Sequence, residues 1–328
     1  MLEIQNLKTY YYMESGVVKA VDDVSFKIPT GKVVGLAGES GSGKTTIAMS
    51  IMRLLPSNGK IVDGEIILDD EIDLTKVDER YMREKIRWKK VAIIFQGAMN
   101  ALNPVLNVGD QIVEAILAHE NVSREEAWQR TKQLFEEVGL DPDRIRHYPH
   151  EFSGGMRQRV MIAMALACNP SLVIADEPTT ALDVTIQAEI IDLLLDLQKA
   201  YNLSVLLISH DLSVMAQMSH HIAILYGGKL MEYGDAVSIF KKPRHPYTQG
   251  LISSLPSVSR TKKERKLVAI PGSPPDLLNP PAGCPFNPRC PIAKGICYKE
   301  MPTLEKVDGS YVACHFVDET KDRNIWRE

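Results

Sequence analysis

The sequence lacks three features, each of which would assign it to a particular class of protein. It has no run of the roughly 18 apolar residues that a membrane-spanning helix requires. Its first residues, Met1–Gly16, do not follow the basic-then-apolar pattern of a secretory signal. The net charge is -4, so the basic surface typical of nucleic-acid-binding proteins is missing as well. These absences predict an intracellular protein that neither spans a membrane nor binds nucleic acid.

Cysteine is also scarce, with five among 328 residues. Cys168 lies in an apolar helical stretch, where we expect a buried packing residue. The other four cysteines lie within the last 45 residues. In a reducing compartment such a cluster favours metal binding over disulfides.

The length and the 45% hydrophobic content are sufficient for about two domains with sizeable cores.

One stretch, Val33–Leu55, is the strongest functional signal in the chain. An apolar strand, a glycine-rich loop and a helical pattern follow one another there. Residues 38–45, the phosphate loop, match the G-x-x-x-x-G-K-[ST] motif at every position. Glycines let main-chain N–H groups point at phosphate, Lys44 adds a positive charge, and the Thr45 hydroxyl can ligate Mg²⁺. The sequence therefore predicts a nucleoside triphosphate site at Gly38, Glu39, Ser40, Gly41, Ser42, Gly43, Lys44, Thr45 and Thr46.

The segments 2–12 and 17–28 alternate apolar and polar residues and predict antiparallel strands beside the phosphate loop. Tyr10, Tyr11 and Tyr12 lie where these strands turn. An adenine ring needs an aromatic face, and Tyr11 is the best candidate by register. Its two neighbours are the open alternatives, and plain packing is the other role of such tyrosines.

A change of composition follows the buried strand at residues 91–95, which ends at Gln96. A charged helix, residues 78–90, precedes this strand. Amphipathic helices are predicted after it at Val108–His119 and Ser123–Val138, and Ser123 with Glu126 forms a capping box. We interpret the region from about residue 97 to 168 as an inserted helical subdomain.

Three further groups of polar residues have the chemistry that a triphosphate requires. Ser153–Gly155 precede an apolar helix and form a second potential anion site. An apolar strand ends in Asp176, which is suited to holding Mg²⁺ or its water, and Glu177, which is suited to deprotonating an attacking water. His210 follows another apolar strand, at the end of a parallel sheet where ligands bind.

The tail, residues 241 onward, is rich in proline and contains a basic run at 260–266. Its cysteines, Cys284, Cys290, Cys297 and Cys314, have five, six and sixteen residues between them. This is not the usual pair of zinc-binding CxxC turns, and two of the four precede proline, as does one ligand in bacterial ferredoxins. The residues alone predict a four-thiolate site and leave zinc and iron–sulfur open. Free thiols in a loosely ordered tail are the remaining alternative.

The motifs together resemble an ATP-binding-cassette (ABC) ATPase over residues 1–240. The resemblance rests on the phosphate loop, Gln96, Ser153, Gly154, Gly155, Asp176, Glu177, Asp183 and His210. Phe152 and Met156 depart from the family, whose commonest signature has Leu and Gln there. The tail, with His245-Pro246-Tyr247 and the clustered cysteines, resembles the ATPase subunits of dipeptide/oligopeptide importers.

The resemblance implies an α/β P-loop NTPase core with an antiparallel β subdomain and a helical subdomain. It places this nucleotide-binding domain at residues 1–240 and a small Cys-rich C-terminal domain at 241–328. It favours a four-iron–four-sulfur (4Fe-4S) cluster over zinc at the four cysteines. We expect that cluster to be structural, with nucleotide binding by residues 1–240 independent of it.

In such proteins two cassettes bind two ATP molecules between them. The resemblance implies that Lys44, Thr45, Gln96 and Asp176 act in cis, the last three around Mg²⁺, with Glu177 as general base and His210 on the γ-phosphate. Ser153, Gly154 and Gly155 of the other cassette would contact the same phosphate, and Asp183 would belong to the nucleotide site.

The partners implied are a second ABC ATPase subunit, which the family suggests is a paralogue, two membrane-spanning permease subunits and an extracytoplasmic peptide-binding protein. The chain would then work at the cytoplasmic face of the cell membrane. A nickel or oligosaccharide importer, an ABC ATPase acting on nucleic acid and a small-molecule P-loop kinase are the alternatives. The kinase has no use for Ser153–Gly155, and the nucleic-acid reading lacks a basic face.

Overall fold

The structure is a computed structural model that describes residues 1–97, 101–255 and 269–326. The basic run at 260–266 and the first residues of the predicted helical subdomain, 98–100, lie outside the described residues.

Twelve strands are present in the described ranges. They are β1 (Leu2–Met13), β2 (Gly16–Ile28), β3 (Val33–Ala37), β4 (Gly59–Leu68), β5 (Ile72–Asp73), β6 (Val91–Ile94), β7 (Leu172–Asp176), β8 (Ser204–Ile208), β9 (His221–Tyr226), β10 (Lys229–Asp235), β11 (Glu305–Val307) and β12 (Ser310–Val312).

The same ranges contain ten α-helices and five shorter helical turns. The α-helices are α1 (Lys44–Met52), α2 (Glu79–Tyr81), α3 (Val108–His119), α4 (Arg124–Glu137), α5 (Gly154–Leu166), α6 (Val184–Ala200), α7 (Leu212–Met218), α8 (Ala236–Lys241), α9 (Pro246–Ser253) and α10 (Val317–Thr320). The turns are a π turn at Met82–Ile86 and 3₁₀ turns at Pro142–Arg146, Pro149–Glu151, Asn287–Arg289 and Gly295–Tyr298.

The chain forms two compact units. The first comprises Met1–Lys27, Val33–Thr75 and the described residues of Ser209–Glu328. The second comprises Ile28–Lys32 and the described residues of Lys76–Ile208. These units do not follow the boundary that the sequence predicts at residue 240, so the assignment of separate functions to 1–240 and 241–328 stays a prediction.

In the first unit, β2, β1, β4 and β5 form a four-stranded sheet in that order. Side chains of β1 are buried at Leu2 and Ile4 and then at Leu7 and Thr9, so the buried face changes from even to odd positions. Asn6, with φ of 48°, lies at this change, where the register against β4 also shifts. A bulge here keeps one face of a long strand against the core.

The second sheet of this unit contains β3 and β9, which pair in parallel, and β10, which pairs antiparallel with β9. The tail contributes to it, because β12 pairs with β10 and β11 pairs with β12. No pattern in the sequence predicted these two short strands. They join residues near position 310 to the sheet that carries the phosphate loop.

The second unit contains a parallel sheet and the predicted helices. β6, β7 and β8 pair in parallel, and every residue of β7 and β8 is buried. The predicted helix Val108–His119 is confirmed, as is the capping box of Ser123 with Glu126. The charged helix predicted at 78–90 is wrong in extent, because α2 gives way to the π turn at Met82–Ile86.

Cys168 is buried, as predicted from its apolar neighbours. Among the described residues, no helix is both long enough and apolar enough to cross a membrane.

Candidate functional site

The phosphate loop connects β3 to α1 and fits tightly against its surroundings. Gly38 has φ of 149°, and a Cβ there would lie 2.2 Å from the carbonyl oxygen of Leu225. Gly43 has φ of 103°, and a Cβ there would lie 2.3 Å from the carbonyl oxygen of Ala20. Larger residues at either position would therefore displace the loop, which explains two of its glycines.

Lys44 is the first residue of α1 and is 7% exposed. Its ammonium group donates hydrogen bonds to the carbonyl oxygens of Gly38 and Glu39, at 2.8 and 2.9 Å. The N-cap residue is Gly43, which brings no side-chain oxygen to the first turn of the helix. A lysine charge and a helix N-terminus thus meet at this loop, an arrangement that favours a bound anion.

The three tyrosines of β1 differ in their contacts. The Tyr11 hydroxyl lies 3.3 Å from the Thr46 hydroxyl, directly after the phosphate loop. The Tyr10 hydroxyl donates a hydrogen bond to the Asp22 carboxylate at 2.7 Å, so the Tyr10 side chain has a partner outside the loop. Tyr12 is 46% exposed. Tyr11 is therefore the tyrosine with a direct link to the loop, and its stacking on adenine stays a prediction.

The second unit brings Gln96 and Glu177 together, although they lie 81 residues apart in the sequence. The Gln96 amide donates to the Glu177 carboxylate at 2.7 Å, and the Thr180 hydroxyl donates to the same oxygen at 2.9 Å. The backbone of Glu177 has φ of 48°, and its N–H donates to Ile208 at 2.8 Å. A side chain fixed this firmly at the end of β7 is suited to orienting a water.

The residues around Glu177 differ in burial and local role. Asp176, the last residue of β7, is only 2% exposed, and its contact with Mg²⁺ stays a prediction. Asp183 caps α6 by accepting a hydrogen bond from the Ile186 N–H at 3.0 Å. This structural role is compatible with the predicted nucleotide contact but is sufficient by itself to explain the residue.

Ser153 caps α5 and accepts a hydrogen bond from the Met156 N–H at 3.3 Å. A Cβ at Gly155 would lie 2.5 Å from the Ile186 side chain, so α5 and α6 approach closely at this point. Phe152 and Met156, the two residues that depart from the family signature, contact the same side chain. The Arg144 guanidinium lies 4.8 Å from the Phe152 ring and 3.6 Å from the Met156 sulfur. No motif in the sequence identified Arg144.

His210 lies in the first unit, whereas Gln96, Asp176, Glu177 and Ser153–Gly155 lie in the second. It is exposed and directly precedes Asp211, the N-cap residue of α7. Its contact with a γ-phosphate stays a prediction.

The four tail cysteines, Cys284, Cys290, Cys297 and Cys314, line one cavity of about 20 Å³, which has room for about one water. Burial raises the pKa of Cys284 and Cys314 to about 12 and that of Cys290 to about 11. A metal group bound by these thiolates would have to displace their protons. In the described part of the chain, however, no three His, Cys, Asp or Glu side chains are arranged so that they could hold a metal ion.

Two residues of the tail, Tyr247 and Arg289, also contact the phosphate loop at Glu39. The sequence indicated Tyr247 only as part of a family motif and did not indicate Arg289. An arginine directly before a cysteine was the available signal, but its partner is 250 residues away.

Comparison with known proteins agrees with this geometry. A family model described as "ABC transporter" matches residues 21–180, and one described as "Oligopeptide/dipeptide transporter, C-terminal region" matches residues 231–297. The chain is 46% identical to the oligopeptide transport ATP-binding protein AppD of Bacillus subtilis, over 97% of each chain. It is 44% identical to the dipeptide transport ATP-binding protein DppD of Escherichia coli, over 96% of each chain.

Solved structures give the same fold. The dimeric ATP-binding cassette MJ0796, in a post-hydrolysis state bound to ADP and Pi, matches with a TM-score of 0.64 and 29% identity. The match covers 72% of this chain and 99% of that one. Mixed sheets, a phosphate loop and full-length relatives lead to one conclusion: the chain is an ABC ATPase and belongs to the ATP-binding proteins of the oligopeptide/dipeptide ABC transporter family.

Proposed function

We propose that this chain is the ATP-hydrolysing subunit of an importer of dipeptides or oligopeptides, bound to the cytoplasmic face of the cell membrane. The observation that carries the proposal is the similarity, over nearly the whole chain, to proteins named dipeptide or oligopeptide transport ATP-binding proteins. Its partners would be a paralogous ATPase subunit, two membrane-spanning permease subunits and an extracytoplasmic peptide-binding protein.

Binding of the nucleotide would rest on the phosphate loop. Lys44 would donate to the β- and γ-phosphate oxygens, and the N–H groups at the start of α1 would complete the anion site. Mg²⁺, when bound, neutralises charge on these phosphates, and the Thr45 hydroxyl, Gln96 and Asp176 would hold it. Tyr11 would place its ring against the adenine.

Hydrolysis would rest on Glu177. Its carboxylate would orient a water for attack on the γ-phosphorus and accept the proton of that water. In the structure this carboxylate accepts hydrogen bonds from Gln96 and Thr180, which fix its position before any water arrives. His210 would donate to an oxygen of the γ-phosphate, one of the three over which the charge of the transferred phosphoryl group is spread.

Completion of the site would require a second cassette. Ser153, Gly154 and Gly155 of the partner would supply a hydroxyl and N–H groups to the γ-phosphate, and Asp183 would lie at the same boundary. Closure would exclude water, which strengthens every such hydrogen bond. The helices after Gln96 would transmit closure to the permease subunits, so that ATP binding drives a conformational switch.

The cargo is testable in cells from which the gene for this chain has been deleted. We expect uptake of a labelled dipeptide and tetrapeptide to be lost and to return with the wild-type gene. The Glu177→Gln gene should fail to restore it, because uptake requires hydrolysis. Labelled nickel and a labelled oligosaccharide, measured in parallel, should enter normally. Loss of nickel or oligosaccharide uptake with intact peptide uptake would assign the chain to another cargo.

We also propose that the four tail cysteines hold a 4Fe-4S cluster, with zinc as the alternative. The proposal is supported by the cavity that the four cysteines share and by their chemistry, because four thiolates suit either metal group. The four cysteine side chains would have to move apart, because the cavity that they now line is small. The group would supply structural cross-links between the loops of the tail, which has few periodic apolar positions of its own.

Substitution of one tail cysteine should remove this metal group. In protein purified without oxygen, we expect about four iron atoms and four sulfides per chain, with visible absorbance. Cys297→Ser should lose both iron and absorbance, whereas Cys168→Ser should keep them, because Cys168 is buried in the helical region. Zinc without iron would change the metal and keep the site. Wild-type protein without any metal would show that these thiols serve another purpose.

A further inference from the structure

Glu39, the second residue of the phosphate loop, is held by the tail through both its main chain and its side chain. Its N–H donates a hydrogen bond to the Tyr247 hydroxyl at 2.9 Å. Its carboxylate accepts two from the Arg289 guanidinium, at 2.7 and 3.1 Å, in a bidentate ion pair. Such paired, charge-assisted hydrogen bonds fix geometry as well as adding energy.

The Arg289 side chain is itself rigidly held, with 7% of it exposed. It donates to the Tyr226 hydroxyl at 3.1 Å and to the Pro271 carbonyl at 2.7 Å. Tyr226 is the last residue of β9, the strand that pairs with β3 ahead of the loop. Three groups, including the Glu39 carboxylate, thus hold the Arg289 guanidinium, and the other two restrain it from following Glu39 if the loop moves.

The tripeptide His245-Pro246-Tyr247 gives Tyr247 its position. His245 is the N-cap residue of α9 and accepts a hydrogen bond from the Tyr247 N–H at 3.0 Å, and Pro246 is the first residue of the helix. The buried Glu232 carboxylate accepts the His245 N–H at 2.9 Å. The Tyr247 ring packs against Tyr226, with centroids 4.6 Å apart. The motif therefore builds a helix start that directs a phenol at the phosphate loop.

We propose that Arg289 and Tyr247 are positioning residues for the phosphate loop: by holding Glu39 from the tail, they keep the loop in its nucleotide-binding conformation and set its affinity for MgATP. This role concerns nucleotide binding alone, so it does not depend on the identity of the cargo.

Two physical effects support this role. A loop with glycines at 38, 41 and 43 has many backbone conformations, and apparent affinity falls with the fraction of molecules in the competent one. In addition, the Glu39 carboxylate is a negative charge within a loop that binds phosphates, and Arg289 neutralises it. Loss of Arg289 would both release the loop and leave a charge that repels ATP.

The test is MgATP affinity, measured with a fluorescent ATP analogue on full-length purified variants. Arg289→Ala should raise the Kd on the order of tenfold. Arg289→Lys, which keeps the charge but not the fork, should fall between wild type and Arg289→Ala. Arg289→Ala combined with Glu39→Gln should recover part of the lost affinity, because the repelling charge is gone. A purely structural arginine would give no such recovery.

Arg244→Ala is the matched control. Arg244 is another buried arginine of the tail, but it pairs with Asp308 and Ser310, within the tail itself. Arg244→Ala should lower the melting temperature and leave the Kd for MgATP unchanged. Tyr247→Phe, which removes one hydroxyl from a buried ring, provides a variant that retains the packing and should raise the Kd a few-fold. Wild-type affinity in both Arg289→Ala and Tyr247→Phe, or an equal loss in Arg244→Ala, would overturn the proposal.

Discussion

Replacing Glu177 with glutamine should lower the rate of ATP hydrolysis by at least about 100-fold, the usual contribution of a general base. The amide has nearly the same shape, and it can still hydrogen-bond Gln96 and Thr180, which lie 2.7 and 2.9 Å from the carboxylate oxygen. It cannot accept a proton from water. Binding of MgATP should therefore persist, and ATP should hold two cassettes together as a stable dimer.

Hydrolysis is measured as phosphate release from the assembled transporter, and dimer formation by size-exclusion chromatography with ATP. Glu125→Gln is a suitable control, because Glu125 lies on the first turn of α4, where its carboxylate accepts from Gln129. It should hydrolyse ATP at the wild-type rate. If Glu177→Gln also did so, the general base would have to be another residue.

Local regularity made much of the fold predictable. The helix Val108–His119 has the predicted bounds, because apolar periodicity and side-chain caps act within a few residues. The phosphate loop was predictable for a similar reason. Its chemistry requires glycine, lysine and threonine at fixed spacing, with a strand before and a helix after.

Features that depend on distant partners were not predictable. Strands β11 and β12 have three residues each, too few for a visible alternation, and they exist because β12 pairs with β10 about 80 residues earlier. The predicted charged helix at 78–90 stops early, and Trp88 takes a positive φ of 69° before β6. No pattern of residues within either segment specifies these outcomes.

The tail illustrates the same limit at the site itself. From the sequence, residues 1–240 are expected to bind nucleotide independently of the cysteine-bearing tail. Arg289 directly precedes Cys290 and forms an ion pair with Glu39 in the phosphate loop. The Phe286 ring, which lines the cysteine cavity, packs 5.2 Å from that of Tyr247. A change at the cysteines therefore has a short physical route to the nucleotide site.

Replacing Lys44 with alanine should weaken MgATP binding about 10- to 100-fold, the range expected when hydrogen bonds to a charged group are lost. Its ammonium group lies at the phosphate loop, 2.8 Å from the Gly38 oxygen, and Lys44 is the first residue of α1. Lys85→Ala, at an exposed lysine of the second unit, should bind like wild type. Binding is measured by fluorescence titration and folding by thermal melting.

Lys44→Ala and Glu177→Gln together separate the two stages of the cycle. Lys44→Ala should bind MgATP weakly, whereas Glu177→Gln should bind it and fail to hydrolyse it. Tight binding by folded Lys44→Ala would mean that the loop N–H groups alone hold the triphosphate.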